Sequence, residues 1–253
     1  FHQLQAVIDK HAPEIIGLQE TKVNDPDFPL EAIESLGYQV VYHGQKTHYG
    51  VALLSRREPQ QVTKGFPFDD GEAQKRLISG RYETPKGGLV TVINGYFPQG
   101  ENREHAVKFP AKRKFYADLL DYLTQHHDPA APLLVIGDMN VAPLDLDIGI
   151  GADNAKRWLR DGKCSFLPEE RAWMDELFGD VGMADAFRAV DPRPERYTWW
   201  SNRGQAWAKN VGWRIDYQVV SAGLRERIVG ASVYRRKRFS DHAPLILDYD
   251  YDI

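Results

Sequence analysis

Leu133-Leu134-Val135-Ile136-Gly137-Asp138-Met139-Asn140 decides how this chain folds. Four consecutive apolar residues closed by a glycine describe a short strand buried on both faces, as in the interior of a covered sheet. A carboxylate and an amide follow at its end. Side chains at i and i+2 of an extended segment leave on one face, so Asp138 and Asn140 are expected to point into one cleft.

The pattern recurs in both directions along the chain. Residues 14–18 are short and apolar and deliver Gln19-Glu20. Residues 89–95 alternate and run into Tyr96-Phe97-Pro98. Residues 215–220 carry Asp216 inside an apolar run, and Ser240-Asp241-His242-Ala243-Pro244 leads into a last strand at 245–249. Further strands are expected at 38–42 and 51–54, β-branched or aromatic runs beside glycines. Helices are expected at 3–10, with Leu4, Val7 and Ile8 on one face, and at 110–125, with Phe115, Leu119, Tyr122 and Leu123 at helical spacing. A third covers 169–178, with Pro168 where a first turn tolerates it. Strands outnumber helices, which predicts an α/β (α+β) fold of packed sheets with helices outside. No long linker, repeat or low-complexity tract interrupts residues 1–253, so a single domain is expected.

Composition narrows the function classes. A net charge of −4 does not by itself point to nucleic acid. The basic runs Lys112-Arg113-Lys114, Lys156-Arg157 and Arg235-Arg236-Lys237-Arg238 read as solvated faces unless they border the cleft. No apolar run reaches the length of a membrane span, so no membrane partner is expected. The lone Cys164 rules out an intramolecular disulfide, argues against a structural zinc site and agrees with a cytoplasmic protein.

The polar set at the strand ends has a definite chemistry. Oxygen ligands suit a hard cation such as Mg²⁺, with Mn²⁺ as a substitute. Histidine among acids suits proton transfer or charge stabilisation near neutral pH. Singly, each residue is ordinary: an Asp at a strand end is usually a turn or cap residue, and an Asp-His pair is usually incidental. Asp216 is less ordinary, because an acid among Ile215, Tyr217, Val219 and Val220 must be paired if it is buried. The ordered set is far more specific than any member.

With these residues in view, the chain resembles the exonuclease III class of apurinic/apyrimidinic endonucleases, within the endonuclease/exonuclease/phosphatase superfamily. The likeness runs through Ile16-Gly17-Leu18-Gln19-Glu20-Thr21-Lys22, Tyr42-His43-Gly44-Gln45-Lys46, His48-Tyr49-Gly50-Val51-Ala52, Asn94-Gly95-Tyr96-Phe97-Pro98-Gln99-Gly100 and Lys108-Phe109-Pro110-Ala111-Lys112. Asp145-Leu146-Asp147-Ile148-Gly149 and Lys163-Cys164-Ser165-Phe166-Leu167 resemble the bacterial exonuclease III branch. The resemblance implies a four-layer sandwich, two mixed sheets face to face with helices outside. It also implies a nucleoid-associated bacterial protein, for which we expect a monomer.

Roles follow by motif position. Glu20 resembles the principal metal ligand, and Asp241 an acidic residue on the metal side, with Asp138 and Asn140 completing that set. Asp138 resembles the residue that orients or deprotonates the attacking water, and Asn140 the amide that holds phosphate or water. Asp216 and His242 resemble the paired acid and imidazole, and Tyr96 the tyrosine on the scissile phosphate. Gln99 and Lys108 resemble DNA-contacting neighbours. Trp199 and Trp213 resemble the lining of a pocket for a flipped abasic sugar; as residues alone they read equally as core aromatics. Arg103 and Lys156 are expected to contact phosphates.

The implied activity is Mg²⁺-dependent cleavage of duplex DNA 5′ to abasic sites, with 3′→5′ exonuclease and 3′-phosphatase or phosphodiesterase action. A relative acting on phospholipid or inositol phosphates is disfavoured by Gln99, Lys108 and the aromatic residues. A catalytically dead DNA-binding module is disfavoured by the full acid, amide, tyrosine and histidine set. One departure stands out: the family has a strand, ending in an asparagine beside the metal, ahead of the helix that begins at Phe1-His2-Gln3-Leu4 here. We expect those residues to exist in the natural protein, and an intact mass equal to 28.9 kDa would refute this.

Overall fold

The computed structural model describes residues 1–253. They form two compact units, and the chain passes between them at Tyr96–Phe97, Ala131–Pro132, Gly137–Asp138 and Tyr251–Asp252.

The first unit holds α1 (His2–His11), β1 (Ile15–Gln19), α2 (Leu30–Glu34), β2 (Gln39–His43), β3 (Val51–Ser55), β4 (Gln61–Lys64), β5 (Leu77–Glu83), β6 (Leu89–Tyr96) and the body of β7 (Leu133–Asp138). One antiparallel sheet runs β1-β3-β2, with Leu18 opposite Ala52 and Tyr42 opposite Ala52 on the other side. A second runs β4-β5-β6-β7, with Leu77 opposite Gly95 and Lys64 opposite Ile78. β3 is central and apolar on both faces, and Val51, Ala52, Leu53 and Leu54 are wholly buried. The reason is that the two sheets pack face to face, with β3 against β5 and β6. Ile8 of α1 and Ile33 of α2 cover the outer face of the first sheet, packing with Tyr38, Ala52 and Leu54. This is the expected order of layers: helix, sheet, sheet.

A single glycine and a single amide set the spacing of those sheets. A Cβ on Gly17 would stand 2.7 Å from Ile136 Cδ1 and 2.9 Å from Asn94 Oδ1. Asn94 is wholly buried, and its Nδ2 donates to the carbonyls of Leu18 and Ala52 at 2.9 Å each, while Oδ1 accepts from Gln19 Nε2 at 2.7 Å. A buried amide is tolerated because its donors and acceptor are used.

The second unit holds α3 (Lys108–His126), α4 (Ala152–Arg160), α5 (Pro168–Phe178), β8 (Ala184–Asp185), α6 (Ala186–Val190), β9 (Asp216–Val220), α7 (Ala222–Arg225), β10 (Ile228–Val233) and β11 (Leu245–Tyr249). β8 pairs antiparallel with β9, and β10 with β11. α3 buries one face, Phe109, Lys112, Tyr116, Leu119 and Leu123, at helical spacing. Pro110 sits in its first turn, where the missing N–H has no partner to lose. A lysine on that face corrects one reading of the sequence: Lys112 is not part of a solvated run but is fully buried.

The expected helices and strands lie within two residues of their predicted ends. The elements absent from the expectation are short, polar or interrupted by glycine. β4 is Gln-Val-Thr-Lys, α4 has four charged residues among nine, and β10 is interrupted by Gly230. No helix is long and apolar enough to cross a membrane.

Candidate active site

In the second unit, β9 begins with Asp216, and the segment before β11 supplies Asp241 and His242. Residues 198–200 tie these segments together. Ala243 N–H donates to Thr198 O at 2.7 Å, Trp200 N–H donates to Asp241 O at 2.9 Å, and Trp199 pairs through its backbone with Trp213 at 2.8–2.9 Å. The Thr198 hydroxyl accepts from the backbone N–H groups of Ile215 and Asp216 at 3.1 Å each, which fixes where β9 starts.

That framework sets Asp216 against His242. Nδ1 of His242 lies 2.9 and 3.1 Å from the two Asp216 carboxylate oxygens. Nε2 lies 3.9 Å from Asp138 Oδ2. Burial works against the charged imidazole, but the Asp216 carboxylate overcomes it, and Asp138 and Asp241 add to the effect; His242 is pushed up to about 10. Asp138 moves the other way from an ordinary acid. Burial first, and the Asp216 charge second, push it up to about 7, against the opposing pull of His242. A carboxylate poised there accepts a proton at neutral pH, and the imidazolium is a donor throughout.

Asp138 and Asn140 meet, but not as an extended segment. β7 ends at Asp138, and Asn140 adopts a left-handed backbone with φ 53°. Asp138 Oδ1 accepts the Asn140 backbone N–H at 3.0 Å, an Asx turn, and Asn140 Nδ2 donates to Asp138 Oδ2 at 3.2 Å and to Phe97 O at 2.8 Å. The turn, rather than strand alternation, brings the carboxylate and amide together. Non-glycine residues held in this region concentrate at functional sites.

In the first unit, Tyr96 ends β6 and its hydroxyl donates to Glu20 Oε1 at 2.5 Å. The other Glu20 oxygen meets Lys22 Nζ at 2.6 Å. Glu20 and Lys22 both carry φ 56°, and Lys22 is pinned by its N–H to Tyr49 O at 2.9 Å. Arg76 holds Tyr96 by donating Nη1 to its carbonyl at 3.0 Å, with the guanidinium 4.0 Å from the Tyr49 ring centre and 4.9 Å from that of Tyr96. Arg76 was invisible to sequence reasoning, and Tyr49 and Lys22 were visible only as motif members.

The donor chemistry fits a hard divalent cation. Glu20 and Asp241 each present an incompletely buried carboxylate, already drawing Lys22 in one case and Trp199 Nε1, at 3.1 Å, in the other. Asp138, Asp216 and His242 offer ligand atoms within 4.8 Å of one another. Within that group Asp216 is committed to the imidazole.

The remaining expected residues are spread out. Trp199 is half-buried. Trp213 is 5% exposed and packs edge-on against Trp158 and Trp199, with Phe166 beside it. Gln99 is exposed, and its Oε1 accepts the Glu101 N–H at 2.7 Å. Lys108 pairs with Glu101 at 2.5 Å and Arg103 with Glu169 at 2.5 and 2.8 Å. Lys156 is exposed on α4.

Comparison with known proteins agrees with this picture. The model of the endonuclease/exonuclease/phosphatase family matches residues 1–242. Exodeoxyribonuclease III of Haemophilus influenzae is 53% identical, over 98% of this chain and 94% of its own length. An AP endonuclease from Archaeoglobus fulgidus superposes with TM-score 0.87 at 30% identity, covering 98% of this chain and 93% of that one. A 3′ phosphatase from Neisseria, solved with a product DNA hairpin, superposes with TM-score 0.86 at 32% identity, covering 99% and 94%. The α/β fold is therefore that of the AP endonucleases. The chain belongs to the endonuclease/exonuclease/phosphatase family of metal-dependent enzymes, in its exonuclease III branch.

Proposed function

We propose that the chain is a DNA-repair nuclease that hydrolyses phosphodiesters of duplex DNA, cutting 5′ to abasic sites and working from 3′ ends as exonuclease and 3′-phosphatase or phosphodiesterase. One observation carries the reading: a carboxyl raised to about 7, Asp138, lies 3.9 Å from an imidazole that Asp216 holds charged. A proton acceptor beside a fixed cation is what attack of water on an anionic phosphodiester requires.

Asp138 takes the proton of the attacking water. The His242 imidazolium, the Asn140 amide and the Tyr96 hydroxyl donate to phosphate oxygens as charge develops. Asn140 gives up its longer bond, the one to Asp138 at 3.2 Å, and keeps the bond to Phe97 O that orients it. Glu20, Asp138, Asn140 and Asp241 are the residues we assign to Mg²⁺, which when bound supplies Lewis-acid stabilisation of the non-bridging oxygens; Mn²⁺ is the expected substitute. Gln99, Arg103, Lys108 and Lys156 are assigned to the DNA backbone, and Trp199 and Trp213 to the abasic sugar. The activities of the Haemophilus, Archaeoglobus and Neisseria relatives support this substrate class. We take the protein to act as a cytoplasmic monomer at the nucleoid.

A duplex carrying one tetrahydrofuran site tests the proposal. The protein with Mg²⁺ should nick it on the 5′ side, and EDTA should stop the reaction. No EDTA-sensitive nick overturns the nuclease reading, and tight binding without nicking identifies a DNA-binding module instead.

A further inference from the structure

Beneath the Asp138–Asn140 turn lies a buried ion pair with no assigned part in the chemistry. Lys112 of α3 and Glu170 of α5 both have fully buried side chains, with Nζ 2.5 Å from Oε1. Burying two charges is costly, and such a pair is commonly no more stabilising than an apolar one of similar volume. Its retention calls for an account of what the charges hold.

Each partner has further bonds, and they converge on one place. Lys112 Nζ donates to Asn140 O at 2.8 Å and to Gln99 O at 3.2 Å. All three ammonium protons therefore have acceptors. Glu170 Oε2 accepts the backbone N–H groups of Ser165 and Leu167 at 2.9 and 2.8 Å, which anchors the start of α5. One turn further along α3, the Tyr116 hydroxyl donates to Met139 O at 2.7 Å. α3 thus grips both carbonyls of the turn that carries Asn140. The stem of Lys112 is closely packed as well: a Cβ on Gly100 would stand 2.9 Å from Lys112 Cδ.

Asn140 needs such a grip. Its backbone is left-handed, with φ 53°, and from that conformation its amide reaches both Asp138 and Phe97. A neutral donor at position 112 would supply a weaker bond to the Asn140 carbonyl than an ammonium does. Glu170 holds the ammonium in place, away from water.

We propose that Lys112, fixed by Glu170, is a positioning residue for phosphodiester cleavage: it holds the Asn140 and Gln99 carbonyls so that the Asn140 amide, oriented by its bond to Phe97 O, keeps its place beside Asp138. The inference rests on the nuclease reading above. It concerns turnover through Asn140, because the pair itself is fully buried.

The test begins with wild-type protein on the tetrahydrofuran duplex, since absence of nicking there defeats the nuclease reading and leaves nothing for Lys112 to position. Given wild-type nicking, Lys112→Met and the charge-neutral double variant Lys112→Met/Glu170→Gln are compared, each checked for folding by circular dichroism and thermal unfolding. In the double variant the glutamine Oε1 can still accept from Ser165 and Leu167. The expected result is a kcat lower by about 10–100-fold with KM within about twofold, the size a small misplacement of a reacting group produces. Combined with Asn140→Ala, the losses should not multiply, since Lys112 acts through Asn140. A kcat within about twofold of wild type, a loss confined to KM, or losses that multiply with Asn140→Ala would each overturn the proposal. Failure of both variants to fold would also overturn it, by assigning the pair to stability alone.

Discussion

Asp216 holds His242 Nδ1 with both carboxylate oxygens, at 2.9 and 3.1 Å. The charge of the imidazole depends on that grip, because burial alone would make it neutral. Asp216→Asn removes the countercharge and keeps the shape. In metal-free protein, the wild-type His242 ring should stay protonated until about pH 10, and in the variant it should titrate well below that. Proton NMR of the imidazole measures both. The stability consequence has a fixed sign. The folded pKa, about 10, lies above the unfolded value near 6.5. The contribution is therefore complete below about pH 6.5 and is lost as pH rises through about 10. The gap in unfolding midpoint between wild type and Asp216→Asn should narrow over that window; a gap that widens contradicts the assignment. Turnover should fall by about 10²–10⁴-fold.

Asp138→Asn should abolish nicking and spare DNA binding. The substitution keeps the side chain's shape and removes the only group in this cluster raised to near neutrality. Loss of a general base costs about 10²–10⁴ in rate. Single-turnover nicking gives the rate, and fluorescence anisotropy in EDTA gives the affinity. Full activity in this variant would refute the base role of Asp138.

The Asp138–Asn140 pair also shows how far sequence reasoning reached. An apolar run closed by Gly137 announces a strand end, and the pairing of an acid and an amide beyond it was legible. Alternation along an extended segment is not what joins them: Asn140 has φ 53° and the contact is an Asx turn. Asp216 inside an apolar strand announced a partner, and that partner is His242. What stayed hidden depends on tertiary contacts between separate segments. Lys112 sits in a basic run that reads as solvated, and only its place against α5 buries it. Arg76 precedes β5, a strand with small and polar residues that gave no clear signal, yet it braces Tyr96 from a neighbouring strand.

Tyr96→Phe isolates a single hydroxyl. Its bond to Glu20 at 2.5 Å is lost, while the ring stays beside the Arg76 guanidinium and the carbonyl bond from Arg76 is untouched. The fold should therefore be unchanged. Removing one donor to a developing charge costs about 10²–10³ in turnover. Steady-state kinetics on the tetrahydrofuran duplex should show that loss in kcat with an unchanged unfolding midpoint. A lower midpoint with normal kcat would make Tyr96 a structural residue.

Gly17→Ala tests the architecture that places Glu20, three residues further on. Gly17 lies in β1 opposite Leu53, and an added Cβ would meet Ile136 Cδ1 at 2.7 Å and Asn94 Oδ1 at 2.9 Å. Ile136 Cδ1 can rotate away, whereas Asn94 is held by bonds to Leu18 O, Ala52 O and Gln19. The methyl must either part the sheets or push the amide off its partners, leaving buried polar groups unpaired. Overpacking of this kind costs about 1–3 kcal/mol. For a chain of this size that corresponds to a midpoint lower by about 2–12 °C. Thermal unfolding followed by circular dichroism reads it directly, and Asn94→Ala in the same background separates the two contacts. If Asn94 is the rigid obstacle, its removal makes room for the methyl and Gly17→Ala costs less there than in the wild type. Equal costs in the two backgrounds would assign the strain to Ile136.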